Sequence, residues 1–169
     1  MRRLIITWAI AVILLNINVG FSGAASSGLP SELDITGYQN LKWGDDLESV
    51  KQNIKGEYSI KEKDNKIYLD YKEAKDNEEY IATALFVNNK LFSVVLYNDK
   101  DKLLTEDEAN NLVKSYMNKY GKPTRKQHDA AGAVLAWQRA SGKVSVGLSR
   151  QAEGKYRPWI YYQARAKKR

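Results

Sequence analysis

The sequence predicts an α+β fold, with one antiparallel sheet of about seven strands and two helices packed on one of its faces, in the order helix, four strands, helix, three strands. Three observations lead there. Two segments carry helix start and stop signals around a single apolar stripe. Seven short runs alternate apolar and polar residues with a period of two. The links between consecutive runs are too short for anything but antiparallel neighbours.

The chain opens with Arg2 and Arg3, an almost unbroken apolar run from Leu4 to Leu15, and small residues at Gly23, Ala24 and Ala25. This pattern predicts a cleavable secretory signal peptide over residues 1–25. The run is shorter than the ~20 residues a spanning helix needs, and Asn16 and Asn18 interrupt its continuation, so no stable membrane insertion is expected after cleavage. The expected location is the periplasm or the cell exterior. Removal of the leader leaves 144 of 169 residues, a normal single-domain length.

After a flexible lead-in over residues 26–36, a single domain is expected over 37–164. Its first helix lies in DDLESVKQNIKG, with Asp45 capping the start, Leu47, Val50 and Ile54 on one face, and Gly56 as the stop. The run EYSIKE then pairs with KIYLDYK through a turn at Asp64 and Asn65. In the second run Ile67, Leu69 and Tyr71 alternate with Tyr68, Asp70 and Lys72. The runs EYIATALFV and KLFSVVLYN flank Asn88 and Asn89, residues that tolerate positive φ in a tight hairpin. Being the most apolar, they are expected at the centre of the sheet.

The second helix starts at Thr105, with Glu108 three residues on as its capping-box partner. It carries Ala109, Leu112, Val113, Tyr116, Met117 and Tyr120 as one stripe and stops at Gly121 before Pro123. The runs VLAWQR, KVSVGLS and RPWIYYQAR complete the sheet, and the intervening RKQHDAAG reads as a polar loop. The two halves, each a capped helix followed by a meander, have the layout of a duplication.

The absence of cysteine excludes disulfides, thiol chemistry and thiolate metal ligands. The formal charge of +7 falls to +5 without Arg2 and Arg3, and setting aside Arg165, Lys167, Lys168 and Arg169 takes the body to +1. A nearly neutral body gives no footprint for nucleic acid. The tail at 165–169 is suited at most to anionic surfaces.

His128 is the only histidine and lies in the expected polar loop, so neither a nucleophile–base pair nor a zinc site is expected. Counting from Asp99 in NDKDKLLTEDE places Leu104 where a calcium loop needs glycine and Asn110 where it needs glutamate. Asp45, Asp46 and Glu48 cluster at the first helix start, where capping accounts for them without a raised pKa. The expected protein therefore has no catalytic residues, metal or cofactor.

Its surplus is aromatic: 11 tyrosines, four tryptophans and three phenylalanines. In the last strand Trp159 and Tyr161 share one face, Ile160 and Tyr162 the other. Helices cover only one face of the sheet. If the second stays open, Trp137, Trp159 and Tyr161 form a platform for a protein partner, a peptide or a sugar chain, with Arg139, Arg150 and Arg157 as a basic rim. The competing arrangement covers that face with loops or with the lead-in carrying Tyr38 and Trp43.

In WGDDLESVKQNIKG and KYGKPT the chain resembles small exported bacterial proteins with a Gly-x-x-x-Glu-x-Val helix start and a Tyr-Gly-x-Pro helix stop. Their layout is that of SmpA/OmlA-type outer-membrane assembly lipoproteins and of tandem-repeat β-lactamase inhibitor proteins. The chain lacks the lipid-bearing cysteine of the former and the disulfides of the latter. The resemblance implies a binding module of the envelope that catalyses nothing. The expected function is accordingly protein–protein binding with an envelope or extracellular partner. The alternative is a small-ligand or glycan carrier or sensor using the same rings.

Overall fold

In the computed structural model, residues 34–75, 78–98 and 102–165 are described; the leader falls outside them, as do most of the lead-in and the tail beyond Arg165. A small hairpin, β1 (Gly37–Tyr38) and β2 (Leu41–Lys42), precedes helix α1 (Leu47–Asn53). A meander follows: β3 (Tyr58–Lys63), β4 (Lys66–Lys75), β5 (Glu78–Val87) and β6 (Lys90–Asn98). Helix α2 (Glu106–Tyr120) leads into a second meander of β7 (Arg125–Asp129), β8 (Gly132–Gln138), β9 (Gly142–Arg150) and β10 (Tyr156–Ala164).

The eight strands β3 to β10 form one antiparallel sheet in the order β3-β4-β5-β6-β10-β9-β8-β7. Each half is thus a helix followed by four strands, and the halves join through their last strands. The antiparallel α+β class agrees with the sequence, but the strand count and order do not. The polar run RKQHD forms β7, paired with β8 from Arg125↔Ala136 to Asp129↔Gly132. It escaped detection because an edge strand exposed along its whole length has no apolar side to alternate. The centre of the sheet is β6 and β10, with β5 one position further out.

Most local signals were obeyed, although α1 ends at Asn53 with an extended Ile54 as its cap, two residues before the glycine expected to stop it. Asn88 and Asn89 adopt φ of 52° and 55°, and Asp64 and Asn65 adopt 51° and 58°, the twisted hairpin turns their side chains allow. Thr105 and Glu108 make the reciprocal capping box, and Gly121 takes φ of 75° at the helix end. In α1 the cap is Asp46, whose carboxylate accepts from Ser49 N at 2.8 Å. Asp45 instead accepts from Lys42 N at 2.8 Å and closes the turn ahead of the helix.

Both helices lie on the same face. Val50 of α1 and Tyr116 and Tyr120 of α2 share a core with Leu69, Ala82, Phe86, Val94, Leu96, Val144, Val146 and Ile160. The lead-in belongs to this side as well: Ile35 is buried, and the Tyr38 ring lies 4.8 Å from that of Tyr162. Asp34 ties it down, accepting from Ser141 N at 3.0 Å and Ser141 Oγ at 2.6 Å, so the ordered domain includes at least Asp34. Among the described residues no helix is long and apolar enough to cross a membrane.

Candidate binding face

Because side chains alternate along a strand, the residues between the core positions point to the opposite face, and no described helix or hairpin packs there. The ladder sets them in rows. One row runs Ile81, Tyr97, Trp159, Gly147 and Val134 across five neighbouring strands. The next runs Asp70, Thr83, Val95, Tyr161, Ser145 and Ala136.

Trp159 is the best-defined feature of this face. A Cβ placed on Gly147 would sit 1.9 to 2.3 Å from three atoms of the indole, so the ring lies directly on that glycine's backbone. An aromatic ring covering a cross-strand glycine shields backbone that would otherwise be open to water. Beside it, Lys143 Nζ stands 5.6 Å from the Tyr161 ring centroid. Burial pushes the Tyr161 phenol up, and the nearby Ser93 hydroxyl opposes this without reaching hydrogen-bond geometry. Burial likewise raises Tyr97. On the outer side Asp70 accepts from Thr83 Oγ1 at 2.7 Å and pairs with Lys61 at 3.1 Å.

The structure therefore brings Trp159 and Tyr161 together and leaves the lead-in on the other side, against the arrangement in which Tyr38 and Trp43 cover these rings. Trp43 Nε1 donates to the Ile35 carbonyl at 2.6 Å. Trp137 does not join the platform. It is fully buried against the helices, its Nε1 donating to the Gly121 carbonyl at 2.7 Å, with Tyr116 and Tyr120 around it. Alternation in β8 put Trp137 and Leu135 on one face, but only the pairing with β9 decided which face that was.

Arg139 is not a rim residue either. Its guanidinium donates to the Tyr120 and Gln138 carbonyls and so closes the open end of α2. Arg150 lies over the Tyr156 ring at 6.0 Å on the helix side. Arg157, opposite Ser149, is on the helix-free face and exposed. The residues that sequence reasoning passed over are Tyr97, Gly147, Lys143 and Arg125. A glycine in the interior of a strand, between Val146 and Leu148, was the one available signal, since it marks close approach of another group.

Among the described residues no three His, Asp or Glu side chains cluster as a metal site. His128 is exposed on β7. Asp34, Asp46 and Glu108 are all held below the ordinary carboxylate range, chiefly by hydrogen bonds from Ser141, Ser49 and Thr105. A cleft of about 510 Å³ lies between the β1–β2 hairpin and the end of α2, walled by Tyr38, Tyr120, Tyr162, Lys42 and Lys119. No family model matches the chain, and comparison with curated proteins and with solved structures gave no match.

Proposed function

We propose that the chain is an exported, non-catalytic binding module that holds a protein of the cell envelope or exterior on the helix-free face of its sheet. The observation that carries this reading is the row of Tyr97, Trp159 and Gly147 at the middle of a face that no described element covers. Buried aromatic anchors surrounded by lesser contacts are the usual energetic centre of protein interfaces. Size favours a protein too. Eight strands at ~4.8 Å spacing and central strands rising ~3.3 Å per residue give roughly 1,000 Å², close to the ~800 Å² each partner contributes to a stable complex. Asp34, Asp46 and Glu108 are held ionised by hydrogen bonds rather than poised as acids.

The test is a photo-crosslinking residue at position 97 in cells, with position 58 on the other side of the sheet as control. The expected result is one envelope protein captured from 97 and not from 58, and lost on Trp159→Ala and Tyr161→Ala while thermal unfolding of the variants stays cooperative. Capture indifferent to both substitutions refutes the reading.

The cleft at the hairpin favours a second reading, a carrier of a small ligand, because its volume falls in the range of such sites and Tyr38, Tyr120 and Tyr162 wall it. A ligand there raises the melting temperature by mass action, and substituting Tyr38 abolishes the rise.

A further inference from the structure

The helix-free face carries a pair of cations with no ion-pair partner among the described residues. Arg125 of β7 is opposite Ala136 of β8, which is opposite Ser145 of β9, while Lys143 of β9 is opposite Gln138. Two strand spacings and one side-chain step put the Arg125 and Lys143 backbones roughly 10–12 Å apart, within reach of two long side chains leaning toward each other. The floor between them is small, Ala136 and Ser145. Lys143 is fixed from the other side by the Tyr161 ring at 5.6 Å.

Burial and then the charge of Arg125 pull the Lys143 ammonium below its ordinary value, so the two cations share one field. Neither has an ion-pair partner among the described residues. The carboxylates of this face lie away from the pair: Glu79 of β5 is opposite Ala74 of β4, three strands from Lys143. Asp70 is four strands from Lys143 and paired with Lys61, and Asp129 accepts from Ala131 N in the β7–β8 turn. The row through Lys143 continues to Gln163 and Ser93, and Ser93 Oγ is buried without a hydrogen-bond partner. Two like charges drawn to one corner of the face, over a floor of small side chains, give it a positive field that an anion complements.

We infer that this corner is a carboxylate subsite, at which an acidic side chain of the partner docks between Lys143 and Arg125 while its apolar neighbour packs on Trp159 and Tyr161. The inference rests on the binding face proposed above and names the chemistry of its partner: a folded protein presenting an Asp or Glu beside an apolar side chain.

The probes are 3-phenylpropionate and its neutral counterpart 3-phenylpropanamide, titrated into the ¹⁵N-labelled protein and followed by NMR. The carboxylate is expected to shift Lys143, Arg125 and Trp159 resonances and to bind about fivefold tighter than the amide, the scale of one partly exposed ion pair. Lys143→Gln and Arg125→Gln should each bring that ratio close to one. Trp159→Ala should weaken both probes alike. Equal binding of the two probes, an unchanged ratio in the glutamine variants, or no shift at Lys143 and Arg125 up to the solubility limit overturns the subsite. Equal binding that still depends on Trp159 leaves the ring row standing. A charge preference that ignores Trp159→Ala supports the subsite and removes the ring row from it.

Discussion

Gly147→Ala tests the geometry of the candidate face most directly. Gly147 has no positive φ, so alanine is sterically allowed by the backbone, and in a neutral setting the exchange stabilises by about 0.4–1 kcal/mol through the unfolded chain. Here the setting is not neutral. The new Cβ would meet Trp159 Cε2 at 1.9 Å, Cζ2 at 2.1 Å and Nε1 at 2.3 Å, more than an ångström inside ordinary contact. The indole must tilt or leave, at a typical overpacking cost of about 1–3 kcal/mol. The single variant should therefore lose about 0–2 kcal/mol. In a Trp159→Ala background the clash disappears, and the same exchange should become neutral or stabilising by up to about 1 kcal/mol. Urea unfolding of the four proteins closes a double-mutant cycle with an expected coupling of about 1–3 kcal/mol. Equal destabilisation by Gly147→Ala in both backgrounds would show that the ring does not rest on this glycine. The platform would then have to be redrawn.

Other outcomes follow from the core and the latches. Trp137→Ala should cost about 3–5 kcal/mol in chemical denaturation, since it empties a fully buried site and strands the Gly121 carbonyl, whereas Trp159→Ala should cost clearly less. The Tyr116 and Tyr162 hydroxyls bond each other at 3.0 Å in the core; either single change to Phe should cost about 1–3 kcal/mol, and the double change less than the sum of the two. Asp34 is held below the ordinary carboxylate value first by the Ser141 hydroxyl, so its folded pKa lies under its unfolded one. The stability it contributes is complete above about pH 4 and is lost as pH falls through the depressed folded value. Asp34→Asn should therefore lower the urea midpoint at about pH 6 and leave it near that of the natural protein at about pH 2, where a difference as large as at pH 6 would contradict the latch.

The sequence by itself determined what is local. A capping box needs residues three apart, so Thr105 and Glu108 announced α2, and Gly121 announced its end. Tight hairpins need residues that tolerate positive φ, so Asn88–Asn89 and Asp64–Asn65 announced theirs. Alternation separated Trp159 and Tyr161 from Ile160 and Tyr162, because side-chain direction in a strand is fixed by the pleat.

What remained depends on pairing between distant segments, for which a single chain carries no local signal. The union of β6 with β10, from Trp159↔Tyr97 to Gln163↔Ser93, set the strand order and brought Tyr97 beside Trp159. The β8–β9 ladder placed Trp137 under the helices and out of the platform. β7 was hidden because an edge strand owes its place to backbone hydrogen bonds along one side and not to apolar burial. The cation pair became visible only when the second meander folded, since Arg125 and Lys143 belong to strands that meet across Ala136. Local chemistry chose the elements; the tertiary structure decided which face each ring and charge would occupy, because a strand offers two faces and only its neighbours distinguish them.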